Sequence, residues 1–392
     1  MGTLDRTKPS WMKGDVADLF EMALDFCEKE VVPNIDQWRS QKKVDRDFWN
    51  KAGEIGLLLP SIPAEYGGGG GSFLHFAAVM EAYGRTADKS WGNSVHSGIV
   101  AHYILGHGTE EQKHAWLPKL ASGELVAAIA MTEPSAGSDL KAIRTTATKE
   151  GDEYVINGSK TFISNGQNAE FIIVAAKTDP QAGAHGISLI IVETQKVTGF
   201  ERGRNLDKIG QHGADTSELF FDGVRVPVSN LLGEENQGFG IMMGELRQER
   251  LIIGINAVTT MEYAVRVAAD YVNSREAFGA PLIKMQNTRI VLAEAATKAR
   301  VGRIFLDDCI NRHMEGDFSA AEAAMCKWWL TDEQVRIIDD LVQLHGGYGY
   351  MDEYPIARLY ADSRVQKIYG GANEVQKELI ARTLDTTPRK LG

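Results

Sequence analysis

The chain has 392 residues, of which 43% are hydrophobic and 24% are charged. A chain of this length can bury a large core and divide into two or three domains. The net charge of −11 argues against nucleic acid as a main partner, since phosphate backbones bind clustered Lys and Arg. Cys27, Cys309 and Cys326 are widely separated, with no CxxC pair and no His cluster at zinc-ligand spacing. The composition therefore predicts neither a disulfide framework nor a metal site.

The sequence shows no membrane or export signal. No apolar run reaches the roughly 20 residues that a membrane helix needs. Residues 1–14 contain no apolar signal core, and no transit peptide is evident. We therefore expect a soluble intracellular protein, located in the cytoplasm, without a membrane span.

Apolar residues recur at helical intervals from Val16 to about Ser122, which predicts an α-helical domain. The first such face is formed by Val16, Leu19, Phe20, Met22, Ala23 and Phe26. Five consecutive glycines, residues 67–71, interrupt the pattern after Pro63. A phosphate-binding loop is the alternative interpretation, but no Gly-Lys-Ser/Thr follows and no apolar strand precedes. The run predicts a flexible turn between two helices.

Short β-type runs begin at Leu125. They are Val126–Met131, Glu153–Ile156, Phe171–Ala176, Ile187–Val192 and Leu219–Phe221. Turn residues separate the runs, as at Asn157-Gly158 and Asp222-Gly223. This spacing predicts a compact antiparallel β domain of roughly a hundred residues.

Helical spacing returns after Gly238, in long segments at about 239–273, 282–314, 318–345 and 371–384. Long helices at this end predict a four-helix bundle. The fold class is therefore α+β, with an N-terminal α-helical domain over 1–124, a central β domain over 125–238 and a C-terminal helical bundle over 239–392. No GxGxxG follows a strand and precedes a helix, so the pattern disfavours a Rossmann dinucleotide site and a nicotinamide-dependent dehydrogenase.

Two glycine-punctuated segments near the C-terminus, Gln343–Tyr350 and Lys367–Glu374, lead into a helix. Glycines let a ligand approach the backbone, and a helix start offers free N–H groups. With Met131–Asp139, Asn157–Gly166 and Arg275–Gly279, these segments resemble acyl-CoA dehydrogenases, flavoenzymes that oxidise acyl thioesters. The motifs stand in the family's order, and the resemblance covers essentially the whole chain. It implies the same three-domain, acyl-CoA dehydrogenase-like fold.

The chemistry of that family needs an acceptor for hydride, which protein side chains cannot supply. The resemblance implies FAD as the cofactor and a saturated acyl-CoA as the substrate, oxidised to a trans-2-enoyl-CoA. The protein must then hold a base for the α-proton and stabilise the thioester oxygen.

Many family members carry the catalytic glutamate after an Ile-Tyr pair near the C-terminus, but this chain has Gly370 there. A second arrangement, known in the long-chain and isovaleryl branches, places it on an earlier helix, and Leu246–Leu251 resembles that segment. The resemblance therefore implies Glu249 as the base, with an ion pair on a helix surface as the alternative. Gly370 keeps a backbone N–H, which the resemblance assigns to the thioester oxygen.

The resemblance also implies the FAD contacts. Met131 and Thr132 would face the pyrimidine end of the ring, Ser138 would lie near the pyrophosphate, and Phe162 and Ser164 would pack against the isoalloxazine. The remaining contacts, some of them from a neighbouring subunit, are Arg275, Phe278, Gln286, Gln343, Gly346, Gly347, Ala372 and Glu374. Ala372 stands where Thr is common, so one hydroxyl contact would be missing. Taken singly, each residue is also consistent with a purely structural role.

Substrate contacts are implied for Ser138, Arg250, Tyr369 and Gly371, and Asn93–Ser97 resembles the long-chain branch. The long-chain branch is therefore the prediction, with isovaleryl-type, branched substrates as the alternative. The motifs are also compatible with a relative that has oxidase or monooxygenase chemistry and with a non-catalytic flavoprotein that binds acyl-CoA. The resemblance further implies an electron-transferring flavoprotein as the electron acceptor and a homotetramer arranged as a dimer of dimers.

Overall fold

The structure, a computed structural model, describes residues 9–384. Most of the N-terminal stretch without a signal core lies outside this range. The first part of the fold is helical, as predicted. Its helices are Asp15–Phe26 (α1), Ile35–Gln41 (α2), Arg46–Glu54 (α3), Phe73–Tyr83 (α4), Asn93–Val95 (α5), Ala101–His107 (α6) and Glu110–Ala121 (α7). A π-helical turn, His96–Val100, joins α5 to α6.

The five-glycine run lies between a short 3₁₀ helix, Ala64–Tyr66, and α4. Ser72 caps α4, because its side-chain oxygen accepts a hydrogen bond from the backbone N–H of Leu74 at 3.3 Å. The predicted connection between helices is therefore confirmed, but not its flexibility, because the backbone N–H groups of residues 67–71 all donate to carbonyl oxygens of residues 59–64.

An eight-stranded sheet follows, with strand order β6-β7-β3-β2-β4-β5-β8 and β1 paired to β4. The strands are Ala127–Ala130 (β1), Thr146–Glu150 (β2), Glu153–Ser164 (β3), Phe171–Lys177 (β4), Ile187–Glu193 (β5), Phe200–Asn205 (β6), Thr216–Pro227 (β7) and Leu231–Leu232 (β8). The pairing is antiparallel with two exceptions. β1 runs parallel to β4, and Thr146 of β2 pairs with Lys177 of β4 in parallel. The sheet is therefore mixed rather than purely antiparallel.

The predicted turns at Asn157-Gly158 and Asp222-Gly223 are wrong, because both dipeptides lie inside long strands. β3 continues through Gly158 with a register irregularity between Ile156 and Gly158. A Cβ on Gly158 would lie 2.4 Å from the Thr145 hydroxyl oxygen, so glycine is needed there for close contact. A bulge has the same residue signature as a turn, and here it carries β3 on towards the candidate site.

The C-terminal helices are Gly238–Ser274 (α8), Gln286–Glu315 (α9), Ala320–His345 (α10), Pro355–Ser363 (α11) and Asn373–Thr383 (α12). A two-stranded ribbon, Glu276–Ala277 (β9) and Ala280–Pro281 (β10), separates α8 from α9. α10 packs against α8, α9, α11 and α12, which confirms the predicted bundle. α11 was not predicted, and residues 282–284 form a 3₁₀ turn instead of the start of α9.

One described helix, α8, is long and apolar enough by composition to cross a membrane. Its most apolar 18-residue window has a mean hydropathy of 1.3, but 72% of that window is buried inside the protein. It packs against α4, α9, α10 and α11, so its apolar character is explained by packing.

A buried charge cluster joins the first helical part to the bundle. The Arg303 guanidinium on α9 lies 2.5 Å from a carboxylate oxygen of Glu81 on α4 and 2.8 Å from one of Glu262 on α8. Only 1% of the Arg303 side chain is exposed. This contact fixes α4 against α8, and both helices contribute residues to the wall of a cavity that Glu249 lines.

Candidate active site

A cavity of about 200 Å³ lies between α4, α5, the end of β3, α8 and the segment before α12; we call it the central cavity. Of the residues predicted for the site, Ser164, Glu249, Tyr369 and Gly370 line it. The other lining residues are Met80, Tyr83, Lys89, Trp91, Gly92, Ser94, Val95, Ile99, Asn165, Gln211, Ala214, Asp215, Ile252, Ile253, Asn256 and Gln366.

Glu249 lies in the first half of α8 and faces this cavity. Its carboxylate oxygen Oε1 accepts a hydrogen bond from the Tyr103 hydroxyl at 2.9 Å. Burial raises the pKa of Glu249 to about 7, and Glu245 adds to the rise, whereas the Tyr103 hydrogen bond opposes it. Among residues 9–384 no cation lies within 4 Å of its carboxylate, so the ion-pair alternative finds no support. A carboxyl with such a pKa can take or give a proton near neutral pH.

Gly370 and Gly371 form a loop with left-handed φ angles of 64° and 89°. The Gln376 side-chain amide donates to both carbonyl oxygens, at 3.2 Å and 3.1 Å. A Cβ on Gly370 would lie 2.4 Å from the terminal methyl of Ile253. Ile253 follows Glu249 by one helical turn, so the backbone of residue 370 lies close to the face of α8 that carries Glu249.

Arg250 lies behind this loop and is 5% exposed. A Cβ on Gly371 would lie 4.0 Å from its guanidinium nitrogen Nη2. Burial lowers the pKa of Arg250, while Glu249 acts in the opposite direction. Its Nε has no hydrogen-bond partner in the structure. Arg250 is therefore a buried cation beside the site rather than a surface group.

Hydrogen bonds bring Met131 and Thr132 beside the end of β3. The backbone N–H of Thr161 donates to the Thr132 carbonyl at 2.9 Å, and the Lys160 ammonium donates to the Met131 carbonyl at 3.1 Å. Next to them, the Phe162 ring is 66% exposed and its backbone has a left-handed φ of 60°. A strained backbone that holds a large apolar ring in the open is typical of a ligand contact.

A second, open groove of about 550 Å³ is lined by Tyr271, Arg275, Leu282, Gln343, Leu344, His345, Gly346, Gly347, Tyr348 and Met351; we call it the outer groove. The Arg275 guanidinium lies 5.3 Å from the centroid of the Tyr348 ring. No carboxylate of residues 9–384 pairs with it within 4 Å. A Cβ on Gly346 or Gly347 would meet no atom within 4 Å.

The outer groove and the end of β3 each fit one half of FAD. The outer groove has a cation free to bind a pyrophosphate and backbone open to close approach. The end of β3, at the central cavity, carries an exposed aromatic ring and a hydroxyl, which suit a planar ring system. Arg275, Gln343, Gly346 and Gly347 belong to the first group, whereas Met131, Thr132, Phe162 and Ser164 belong to the second.

Five of the residues predicted to contact FAD lie neither in the outer groove nor at the end of β3 of the same chain. Ser138 is exposed in the loop after β1, and Phe278 is 98% exposed at the tip of the β9–β10 ribbon. Gln286 begins α9, Ala372 precedes α12 and Glu374 lies in the first turn of α12.

Sequence reasoning missed Tyr103, Lys89 and Trp91. Tyr103 reaches Glu249 from 146 positions away, and no motif marks it. Lys89 and Trp91 closely precede Asn93–Ser97, the segment that resembles the long-chain branch, but no motif includes them.

Comparison with known families gives three matches that together span most of the chain. Models of the N-terminal, middle and C-terminal domains of acyl-CoA dehydrogenases match residues 15–124, 128–224 and 236–384. The chain belongs to the acyl-CoA dehydrogenase family. Like its relatives in this family, it is a flavin-dependent oxidoreductase that acts on acyl-CoA, and its cofactor is FAD.

Three relatives illustrate the range of this acyl-CoA dehydrogenase family. The long-chain specific acyl-CoA dehydrogenase of Sus scrofa mitochondria is 46% identical over 94% of this chain and 86% of its own. The acryloyl-CoA reductase (NADH) of Anaerotignum propionicum is 38% identical over 93% of both chains. The crystal structure of an acyl-CoA dehydrogenase from Geobacillus kaustophilus superposes with a TM-score of 0.93 at 45% identity, covering 96% of this chain and 100% of the other.

Proposed function

We propose that the enzyme oxidises a saturated, long-chain acyl-CoA to the trans-2-enoyl-CoA, with Glu249 as the base for the α-proton. The observation that carries this proposal is the position of Glu249 in the central cavity, with its pKa raised to about 7 by burial. No side chain at residue 370 competes for the role, since that residue is glycine.

Glu249 takes the α-proton, and the Tyr103 hydroxyl at 2.9 Å holds the carboxylate in place. The negative charge that develops on the thioester oxygen is stabilised by the backbone N–H of Gly370. A single such donor is worth about 3 kcal/mol. FAD, when bound, supplies the acceptor for the hydride that leaves the β-carbon. Arg250, buried behind Gly371, adds positive potential on the same side.

Substitution of Glu249 by Gln tests the base, because it keeps the shape of the side chain and removes the proton acceptor. We expect E249Q to retain FAD and to lose turnover, seen as the absence of flavin bleaching when acyl-CoA is added anaerobically. The matched control is E294Q, at an exposed glutamate on α9. Near-normal bleaching in E249Q would contradict the proposal.

The long-chain assignment is supported by the resemblance of Asn93–Ser97 and by the porcine long-chain relative at 46% identity. A branched, isovaleryl-type substrate is the competing assignment, since that branch shares the relocated base. Rates of flavin bleaching with straight-chain and branched acyl-CoAs separate the two. Faster bleaching by long straight chains supports the proposal, and faster bleaching by branched chains contradicts it.

We further propose a homotetramer and an electron-transferring flavoprotein as electron acceptor. The oligomer is supported by groups that lie away from the central cavity: Phe278 is 98% exposed, and Arg275 pairs with no carboxylate of residues 9–384. Both are suited to serve the FAD of a neighbouring subunit. Light scattering of the FAD-loaded enzyme tests the assembly, and a fully loaded monomer would contradict it.

The cytoplasmic location stays a prediction, since the porcine relative is mitochondrial.

A further inference from the structure

Three residues that line the central cavity each carry a buried polar atom with no hydrogen-bond partner. These atoms are the ammonium nitrogen Nζ of Lys89, the indole nitrogen Nε1 of Trp91 and the side-chain oxygen Oε1 of Gln366. Buried polar groups are normally paired, so unpaired ones in a cavity point to a ligand that pairs with them. All three residues line the same cavity as Glu249.

The acidic neighbours of Lys89 are already engaged. Asp88 accepts hydrogen bonds from the Tyr83 hydroxyl at 2.8 Å and from the backbone and hydroxyl of Ser90 at 2.9 Å and 2.5 Å. Asp362 accepts from the backbone N–H of Gln211. No carboxylate of residues 9–384 lies within 4 Å of the Lys89 ammonium, and burial lowers the pKa of this group to about 8.

The one aromatic contact of the Lys89 ammonium leaves its donors available. The centroid of the Tyr83 ring lies 5.8 Å away, near the outer limit for a cation over a ring. Such a contact occupies at most one side of an ammonium group, which carries three N–H donors. Lys89 is therefore an enclosed cation with free donors.

Trp91 is locked in place and cannot turn its N–H to solvent. Its ring is 2% exposed and lies 5.3 Å from the Phe48 ring and 5.5 Å from the Tyr83 ring. Its backbone N–H donates to the Tyr83 hydroxyl at 2.8 Å. The residue lines the cavity, and its indole N–H is a buried donor without a partner.

Different charged groups act on Glu249 and on Lys89. The charged groups that act on Glu249 are Glu245 and Arg250, whereas those that act on Lys89 are Asp362 and Asp88. The Lys89 ammonium lies 5.8 Å from the centroid of the Tyr83 ring on α4, whereas the Glu249 carboxylate accepts from the Tyr103 hydroxyl on α6 at 2.9 Å. The two groups are therefore held by different helices. The reacting carbons belong beside Glu249, so Lys89 would meet a different part of the ligand.

We infer that Lys89 and Trp91 bind an oxygen-bearing polar group, a hydroxyl or a carboxylate, at the far end of the acyl chain. This inference rests on the proposed function and narrows its substrate class to acyl-CoAs oxygenated at the end remote from the thioester. An unsubstituted hydrocarbon tail would leave both donors unpaired, which disfavours its binding.

The test uses three CoA thioesters of equal chain length, ending in a methyl, a hydroxyl or a carboxylate. Anaerobic flavin bleaching gives kcat/KM for each, and calorimetry with the matching 2-enoyl-CoA products gives affinity independently of turnover. The variants are K89M, which keeps the length and removes the charge, and W91F, which keeps a ring and removes the N–H. K43M, at an exposed lysine, is the control.

We expect the wild type to prefer an oxygenated thioester, and K89M to lower its preference over the methyl-ended one by about tenfold in both readouts. W91F should also lower this preference for the oxygenated thioester, and K43M should leave the preference unaltered. A stronger preference for the carboxylate or for the hydroxyl identifies the group. A preference for the methyl-ended thioester that K89M does not alter would overturn the inference and leave the proposed function intact.

A shift of the oxidised flavin spectrum in substrate-free K89M would assign the amine to the cofactor and would also overturn the inference. Failure of all three thioesters to bleach the flavin would instead contradict the proposed function itself.

Discussion

The ammonium nitrogen of Lys327 lies 2.8 Å from the carbonyl oxygen of Gly371. The same ammonium donates to the side-chain oxygen of Asn373, the first residue of α12, at 2.7 Å. Lys327 is fully buried, and burial lowers its pKa to about 7, with Arg250 adding to the effect. One cation on α10 therefore holds both the Gly370-Gly371 loop and the start of the helix that follows.

Replacement of Lys327 by Met should loosen that loop. Two buried acceptors, Gly371 O and Asn373 Oδ1, would each lose a charged donor, and we expect the free energy of unfolding to fall by about 1–3 kcal/mol. We expect kcat to fall more than KM rises, because the N–H of Gly370 acts on the developing oxyanion. Urea unfolding and steady-state kinetics measure the two effects. The control is K298M on α9, and an unaltered kcat in K327M would contradict the prediction.

Replacement of Tyr103 by Phe should raise the pKa of Glu249 above its value of about 7, because the hydroxyl hydrogen bond lowers that pKa. The base works only when deprotonated, so the acid limb of the kcat/KM profile should move to higher pH. Activity should thus fall more under mildly acidic than under alkaline conditions. A uniform loss across the pH range would show that Tyr103 does not act through the protonation of Glu249.

Replacement of Arg303 by Met should destabilise the protein by about 3–5 kcal/mol, because it leaves the buried carboxylates of Glu81 and Glu262 without their partner. Urea unfolding measures the change. R312M serves as the control, since Arg312 is 41% exposed and its pairs are worth about 0–1 kcal/mol. Equal effects of the two variants would refute the interpretation of the cluster.

Replacement of Arg275 by Leu should weaken FAD binding, because it removes the guanidinium of the outer groove. We expect a lower ratio of flavin to protein after gel filtration, recoverable by added FAD. R300L, at an exposed arginine on α9, should keep its flavin. Full occupancy in R275L would separate Arg275 from the cofactor.

The sequence predicted the order of helices and strands because apolar periodicity reports which face of an element is buried. It was wrong at Gly158 and Gly223, where the strand continues instead of turning: Gly158 permits close packing against Thr145, and Gly223 adopts a left-handed φ of 62° within β7. The parallel pairing of β1 with β4 could not be predicted either, since β2 and β3 separate the two strands in the chain and pairing direction depends on tertiary contacts.

For the site, the absence of a side chain at Gly370 led to Glu249, and both line one cavity in the structure. The partners of these groups were not foreseen. Tyr103 and Lys327 carry no local pattern that separates them from ordinary helix residues. Their importance comes from burial and from distances across the fold, which a single sequence does not contain.

Ile253 has a consequence for how this enzyme can be altered. Its terminal methyl lies 2.4 Å from where a Cβ on residue 370 would be, and the φ of 64° there costs an ordinary residue about 1–2 kcal/mol. The helix that carries the base thus obstructs its other position in the family. A glutamate at 370 would have to displace this methyl and adopt a left-handed φ, so relocation of the base, by evolution or by design, is favoured by a smaller residue at 253.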